Sequence, residues 1–390
     1  MKVCDVVLNS IWYDPRVRKQ IIEYKNQGVE VCCVGYRCQR YDESQVKNLP
    51  CPATIVSIDS KYDGKQRGIL RKLIRERKKN RAVKEAILAC APDVIHANDL
   101  NALIPAYAAS KKLKCKLVFD SHEINTDNNA TGKKKSLLKL YYYAMEKRLV
   151  HKVDLMISVS HAAADYFAQE YHIQKPMVIT NCALASENVL KPAAKNEGFE
   201  VLNHGGFYAG RGYDLMVETA PLLKDYPEIK LALRGFGSME NQLHQRAENL
   251  QAENVIFYPK VKVEELIPLA ACSMVGVAIT EPICLNFKLS VSNKLFEYAA
   301  AGLPVIMSDI PEHRYLNEKY QFGLILPDNT PKSLADAVIR LYQDHGLYRK
   351  LAENAKRMSQ EVNWENEFGK LIKFEKEMLE GSSSNGRERK

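Results

Sequence analysis

The stretch SVSNKLFEYAAAGLPV, residues 290–305, sets a lysine and a glutamate at the front of a small, smooth helix. A helix opening near Ser292 leaves its first N–H groups without intrahelical partners, and these carry the positive end of the helix dipole. Such an end suits an anion such as a phosphate. Ser292 and Asn293 lie at that end, and Lys294 in the first turn adds a point charge. Glu297, three residues on, shares its face and can accept hydrogen bonds from two adjacent sugar hydroxyls. Ala299, Ala300 and Ala301 permit close packing on a sheet, and Gly302 can end the helix. The plainer reading is an i,i+3 lysine–glutamate pair worth about a few tenths of a kcal/mol. Sequence physics leaves both open.

A second group lies in VLNHGGFYAGRGYD, residues 201–214. Gly205 and Gly206 follow an apolar run and would let the backbone approach a ligand. Arg211 stands just before the next helix, placed to fork onto a diphosphate. The pattern fits neither GxGxxG nor a Walker loop, so a plain turn with an exposed arginine is the alternative. Two further groups each bring a histidine and acids to a strand end: HAND, with His96 and Asp99, and DSHE, with Asp120, His122 and Glu123. A lone histidine at such a place is as a rule a satisfied structural group, but two at neighbouring strand ends suggest a site. Asp14 and Arg16, in the DPR run after the first strand, would close the same rim.

The elements that must position these residues alternate from the start. An apolar strand at residues 2–8 leads to Asp14-Pro15, an N-cap with proline at the first helical position, and Gly28 stops that helix. VEVCCVGY, DVIHA, KLVFDSHE and LMISVS are further strands, the last leading into a helix capped by Ser160. Each is a near-continuous apolar run, as expected when helices cover both faces of a parallel sheet. A polar linker, residues 185–199, interrupts the pattern, which restarts with VLNHGGF, KLALRG, NVIFYP, MVGVAIT, PVIMSD and FGLILPD. EPICLNFKLSVS reads as a loop. The expectation is two doubly wound α/β domains, residues 1–190 and 198–360, a last helix at 361–380 and a disordered tail at 381–390. In such sheets ligands bind beyond the carboxyl ends of the strands, where all four groups fall.

Length and composition fit this reading. The 390 residues allow two or three domains, and 46% hydrophobic with 26% charged residues is ordinary for a globular protein. No apolar run reaches the roughly 18 residues of a membrane span, and the N-terminus lacks a signal peptide's apolar region, so a cytoplasmic location is expected. Several of the ten cysteines (Cys4, Cys32, Cys33, Cys115, Cys272) lie in strand-like runs. Without paired CxxC spacing, no structural metal is expected. The net charge of +9 concentrates in two blocks, at about residues 65–84 and 133–152, where apolar residues recur at helical spacing. Basic amphipathic helices of this kind suit an anionic membrane surface or a phosphate-bearing partner; a solvated face over a core is the other reading. No aromatic-plus-basic motif accompanies the charge, which argues against nucleic acid.

NKLFEYAAAGLPVI followed by SD and PE resembles the donor-site signature of family 4 glycosyltransferases, which have the GT-B fold. YDPRVRKQIIEYKNQGVEV, the HAND strand, FDSHE, GGFYAGRG, RGFG and NWENEFGKLIKF look like that family's successive landmarks over nearly the whole chain. The resemblance implies two Rossmann-like domains facing across a cleft, with a C-terminal helix crossing back to the first. It implies a nucleotide-sugar donor held by the second domain, a glycan or polyprenyl-linked acceptor held by the first, and no cofactor or metal. Retention of configuration, a hexosyltransferase-like activity and a role in cell-surface polysaccharide synthesis at the inner membrane face would follow. By position, Glu297 would hold the ribose hydroxyls, Arg211 and Lys294 would neutralise the diphosphate, and His122 would face the transferred sugar. Gly235 and Gly237 would lie near the nucleotide and Val261 near the base. Two departures stand out: Leu289 replaces a frequent glutamate and Gly206 a frequent arginine, which bears on the sugar. A nucleotide-sugar 2-epimerase and a non-catalytic nucleotide-binding module are the competing readings.

Overall fold

The computed structural model describes residues 1–9, 11, 14–37, 49–57, 69–124, 137–189 and 194–384. The chain divides into two units, Met1–Thr180 with Glu367–Lys390, and Asn181–Asn366. The division falls at Thr180, not at the polar linker near 190, and the last helix changes unit after its first three residues.

The first unit is built on a parallel sheet of order β3-β2-β1-β4-β5-β6-β7. Its strands are β1 Lys2–Val7, β2 Glu30–Tyr36, β3 Ala53–Val56, β4 Val94–Asn98, β5 Lys116–Ser121, β6 Leu155–Ser158 and β7 Met177–Val178. Its helices are α1 Pro15–Asn26, α2 Ile69–Cys90, α3 Asp99–Leu113, α4 Leu137–Leu149 and α5 His161–Tyr171. The start signals act as read: the Asp14 carboxylate accepts from the Arg16 and Val17 N–H groups, and Ser160 Oγ accepts from Ala163 N. Gly28, at φ +70°, lets the chain leave α1 while Val29 N still donates to Tyr24 O. β4 is buried at every position, polar His96 and Asn98 included, as expected for a strand covered on both faces.

The second unit carries a parallel sheet of order β10-β9-β8-β11-β12-β13. Its strands are β8 Phe199–Gly206, β9 Ile229–Phe236, β10 Val255–Tyr258, β11 Val275–Ala278, β12 Val305–Met307 and β13 Gly323–Ile325. Helices α6 Tyr213–Thr219, α7 Glu240–Asn249, α8 Val263–Ala270, α9 Leu285–Leu289, α10 Asn293–Ala300, α11 Pro311–Tyr320, α12 Pro331–Gln343 and α13 His345–Glu361 surround it. The core joins Val201, Leu231, Val277 and Ile306 of the strands to Met216, Leu334 and Val338 of the helices. EPICLNFKLSVS is not all loop, because α9 forms inside it, with Cys284 Sγ accepting from Phe287 N at its start.

The final helix, α14 Trp364–Ser384, docks on the first unit through Phe368, whose ring meets Tyr24 edge-on at 4.9 Å, and through Glu375. It runs to Ser384 and so includes residues 381–384, which were expected to belong to a disordered tail; residues 385–390 lie outside the described residues.

Candidate functional site

In the second unit the sheet order places the topological switch between β8 and β11, where open α/β sheets bind ligands. The two strands pair at Val201–Val275 and Leu202–Gly276 and then part. Tyr298 of α10 fills the opening. Its hydroxyl donates to Leu202 O and accepts from His204 N, both at 3.0 Å. A side chain at Gly276 would strike the Tyr298 ring at 2.3 Å, so glycine there lets the helix sit this close. These contacts fix the rotation of α10 and aim its first turn at the end of β8.

Lys294 and Glu297 each reach a different residue of β8. Lys294 Nζ donates to Asn203 Oδ1 at 2.6 Å and to the Tyr213 hydroxyl at 3.2 Å, and lies 4.6 Å from that ring's centre. Burial and the neighbouring Arg211 charge lower its pKa to about 7, against a smaller opposing pull from Glu297. Asn203 also donates to Arg211 O at 3.2 Å, so one amide ties both cationic residues to the strand end. The Arg211 guanidinium lies over the Phe287 ring of α9, 4.1 Å from its centre. Glu297 Oε2 sits 2.7 Å from His204 Nε2, and the glutamate keeps 26% of its side-chain exposure while the histidine keeps 1%. His204 Nδ1 has no partner among the described residues, which fits a ring that carries its proton on Nε2 and donates it to the carboxylate. The carboxylate is thus oriented from behind and still faces solvent.

The glycines have steric reasons of their own. Gly235, at φ +150°, faces Gly205 across the β8–β9 ladder, and a Cβ on it would lie 1.8 Å from Gly205 O. A Cβ on Gly237 would meet Phe207 O at 2.5 Å. Gly205, at φ +122°, lies beneath Tyr213 and Lys294, and a side chain on Gly206 would hit the Tyr208 ring. Both Gly235 and Gly237 therefore serve strand packing at the edge where the nucleotide was expected. Ser292 is the buried N-cap residue, with no side-chain cap bond, and Asn293 is exposed. Val261 lies half-buried just beyond β10, two strands from β8.

In the first unit the rim residues converge on Asp120 at the end of β5. Arg16 grips it with Nε and Nη2 at 2.8–3.0 Å while Nη1 donates to Ile179 O at 3.0 Å. Gln20 Nε2 donates to the same carboxylate at 2.8 Å. Burial opposes ionisation of Asp120, but Arg16 and His122 outweigh it and hold the carboxyl well below its usual range. His122 lies between two acids: Nδ1 is 3.6 Å from Asp99 Oδ2 and Nε2 is 3.4 Å from Asp120 Oδ2. Nε2 also sits 3.2 Å from Asn98 Oδ1. Burial pulls its pKa down, but Asp99 and Asp120 prevail and raise it to about 9. The ring is therefore an imidazolium near neutrality. Asp99 adopts φ +65°, which aspartate tolerates better than most residues, and its Oδ1 accepts from His122 N.

Three expected rim residues have other tasks in the fold. His96 is 0% exposed against 15% for the His122 side chain. It joins Tyr24 OH at 3.0 Å, and that hydroxyl donates to Glu375 of α14 at 2.8 Å. Arg16 is buried as the Asp120 clamp, and Asp14 is the α1 cap. Among the expected acids of the rim, Glu123 is the exposed one. Asn203, His204 and Tyr213 escaped the sequence reading, although two polar residues ending an apolar strand in VLNHGG were a usable signal. Tyr24 and Glu375 gave none, being 351 residues apart.

The chain matches two family profiles: glycosyltransferase family 4 over residues 17–183 and glycosyl transferases group 1 over residues 186–358. An uncharacterized glycosyltransferase of Methanocaldococcus jannaschii is 23% identical over 259 residues; the match spans 63% of this chain and 63% of that relative. Among solved structures, sucrose-phosphate synthase from Thermosynechococcus elongatus aligns with a TM-score of 0.76 at 15% identity, over 98% of this chain and 100% of that one. Anabaena HepE in complex with UDP and glucose aligns with a TM-score of 0.71 at 17% identity, over the same shares. Two Rossmann-like units of parallel sheet, matched end to end in this way, define the GT-B class. Within it, the chain belongs to glycosyltransferase family 4.

Proposed function

We propose that the protein transfers a sugar from a nucleotide-sugar donor to a glycan or polyprenyl-linked acceptor, with retention of anomeric configuration and without a metal. The observation that carries the donor reading is the pairing, at one strand end, of two cations with an oriented carboxylate. Lys294 and Arg211 suit a diphosphate, and Glu297 backed by His204 suits a vicinal diol. A nucleotide sugar offers both groups, and HepE, a structural neighbour, is bound to UDP-glucose. In transfer, negative charge grows on the leaving diphosphate, so cations fixed beforehand at that place lower the barrier. His122, held as an imidazolium by Asp99 and Asp120, would face the transferred sugar. Leu289 and Gly206 bear on which sugar that is.

The acceptor reading rests on the basic helices of the first unit. Tyr142 of α4 donates to Glu76 of α2 at 3.4 Å, and Ile74, Leu140 and Tyr141 are exposed beside the lysines and arginines. Such a surface suits an anionic membrane or a pyrophosphate-linked lipid. Residues 65–68 and 133–136 of the two blocks lie outside the described residues, and no described helix is long and apolar enough to cross a membrane.

The test is a screen of nucleotide diphosphates and their sugars by thermal shift, followed by transfer assays with Lys294→Met and Glu297→Ala. A ligand that stabilises the native protein and is turned over by the wild type only supports the reading. Unchanged turnover in both folded variants overturns the site. Donor consumed without addition to any acceptor overturns the transfer reaction. Absence of sedimentation with anionic vesicles at low salt overturns the membrane reading.

A further inference from the structure

The first unit carries a side-chain cluster on the opposite edge of its sheet from Asp99, Asp120 and His122. Cys4 of β1 and Cys32 of β2 stand in register on adjacent strands. Cys90 is the last residue of α2, and only residues 91–93 separate it from β4, which pairs with β1 on its other side. That short connection forces the end of α2 to the amino-terminal edge of the sheet, where the third thiol meets the other two. The three sulfur atoms all lie within 4.8 Å of one another. Sequence spacing hid the group, since its members are 28 and 58 residues apart and form no CxxC pair.

Two cysteines facing each other in a core are readily explained as small hydrophobes. A third thiol brought in from a helix end makes a different object. A metal–thiolate bond of about 2.3 Å places three sulfurs of a trigonal or tetrahedral site roughly 4 Å apart, so the cluster needs only a small contraction to close on one ion. Cys4 and Cys32 are buried, while Cys90 is half-buried and gives the ion a way in. Sulfur donors without an oxygen or nitrogen ligand select soft ions.

We propose that Cys4, Cys32 and Cys90 form a three-thiolate site for one soft d10 cation, and that the ion staples the basic helix α2 to strands β1 and β2. Binding forms three metal–sulfur bonds and releases the thiol protons to solvent; no electron is transferred. The site is roughly 10 Å along β1 from the strand's carboxyl end. It is independent of the reaction proposed above.

Cadmium is the probe, added to the full, reduced chain. The expected result is one equivalent bound per chain, with the ultraviolet thiolate-to-cadmium band, and loss of that band in Cys90→Ser but not in Cys272→Ser. Because Cys90→Ser could fold poorly, the wild type gives a second measurement by iodoacetamide labelling and peptide mass spectrometry. Cadmium at ten times its dissociation constant should slow labelling of Cys90 about tenfold, since only the unbound fraction reacts, and leave Cys272 unchanged. No bound equivalent, an undiminished band in folded Cys90→Ser, or equal labelling of Cys90 with and without cadmium would each overturn the site.

Discussion

Lys294 is half-buried, bonded to Asn203 and Tyr213 and repelled by Arg211, and its pKa falls from 10.5 to about 7. A diphosphate placed against it would return the ammonium toward its ordinary range, so binding should take up a proton. The size follows from the pKa in the unbound protein. At pH 8 an amine of pKa about 7 is roughly 0.1 protonated, giving an uptake of about 0.9 proton; at pH 6 the uptake shrinks to about 0.1. Affinity should then weaken nearly tenfold per pH unit above 7 and be flat below it. The ligand is a nucleotide sugar found by the thermal-shift screen, because the diphosphate of a nucleotide sugar has no group titrating in this range. The assay is calorimetry in buffers of different ionisation enthalpy at pH 6, 7 and 8, with the slope giving the proton number. Lys294→Met should abolish the uptake whatever it does to affinity. A wild-type uptake that does not change between pH 6 and 8, or one that survives in Lys294→Met, refutes the assignment of this lysine to the phosphate.

Three further outcomes are expected. Glu297→Gln keeps the shape but removes the charge that strengthens hydrogen bonds to a diol, and should raise the donor KM by about 10- to 100-fold, corresponding to roughly 1.5–3 kcal/mol; His204→Phe should give a smaller rise, and unchanged KM in both variants contradicts the ribose role. Arg16→Met leaves the buried Asp120 carboxylate without its clamp and should cost about 3–5 kcal/mol in urea denaturation. Because Asp120 titrates well below its unfolded value, the stabilisation holds above pH 4 and fades as pH falls, so wild type and variant should converge in acid. Glu375 behaves oppositely. Burial raises its pKa from 4.5 to about 8, against the Tyr24 hydrogen bond, so the folded state keeps a proton that the unfolded chain has lost. Its contribution is full below pH 4.5 and declines as pH rises toward 8, and Glu375→Gln should flatten that slope in chemical denaturation measured across the window. An identical slope in the variant would assign the pH dependence to other groups.

Local chemistry was legible without coordinates wherever it depended on neighbours along the chain. Near-continuous apolar runs announced strands covered on both faces, Asp14-Pro15 and Ser160 announced helix starts, and the polar residues after each run marked the carboxyl ends of the strands. The residues of one helix front, Lys294 and Glu297, were readable for the same reason, since three residues of helix fix their common face. Which rim residues face solvent was a tertiary matter. His96 and His122 both read as strand-end residues, yet His96 falls in the middle of β4, where α14 meets it through Tyr24 and Glu375, whereas His122 stands just beyond β5 and keeps some exposure.

The sequence by itself determined the two α/β units, the strand ends that carry polar groups, and the cation and carboxylate at the start of α10. Tertiary structure alone decided what those groups touch. Asn203 and His204 hold Lys294 and Glu297 across 91 and 93 residues of chain, and Arg16 meets Asp120 across 104. It also gathered Cys4, Cys32 and Cys90 at one edge. Periodicity reports which face of an element is buried, but partners far apart along the chain are chosen only when strand order and short connections bring their elements side by side.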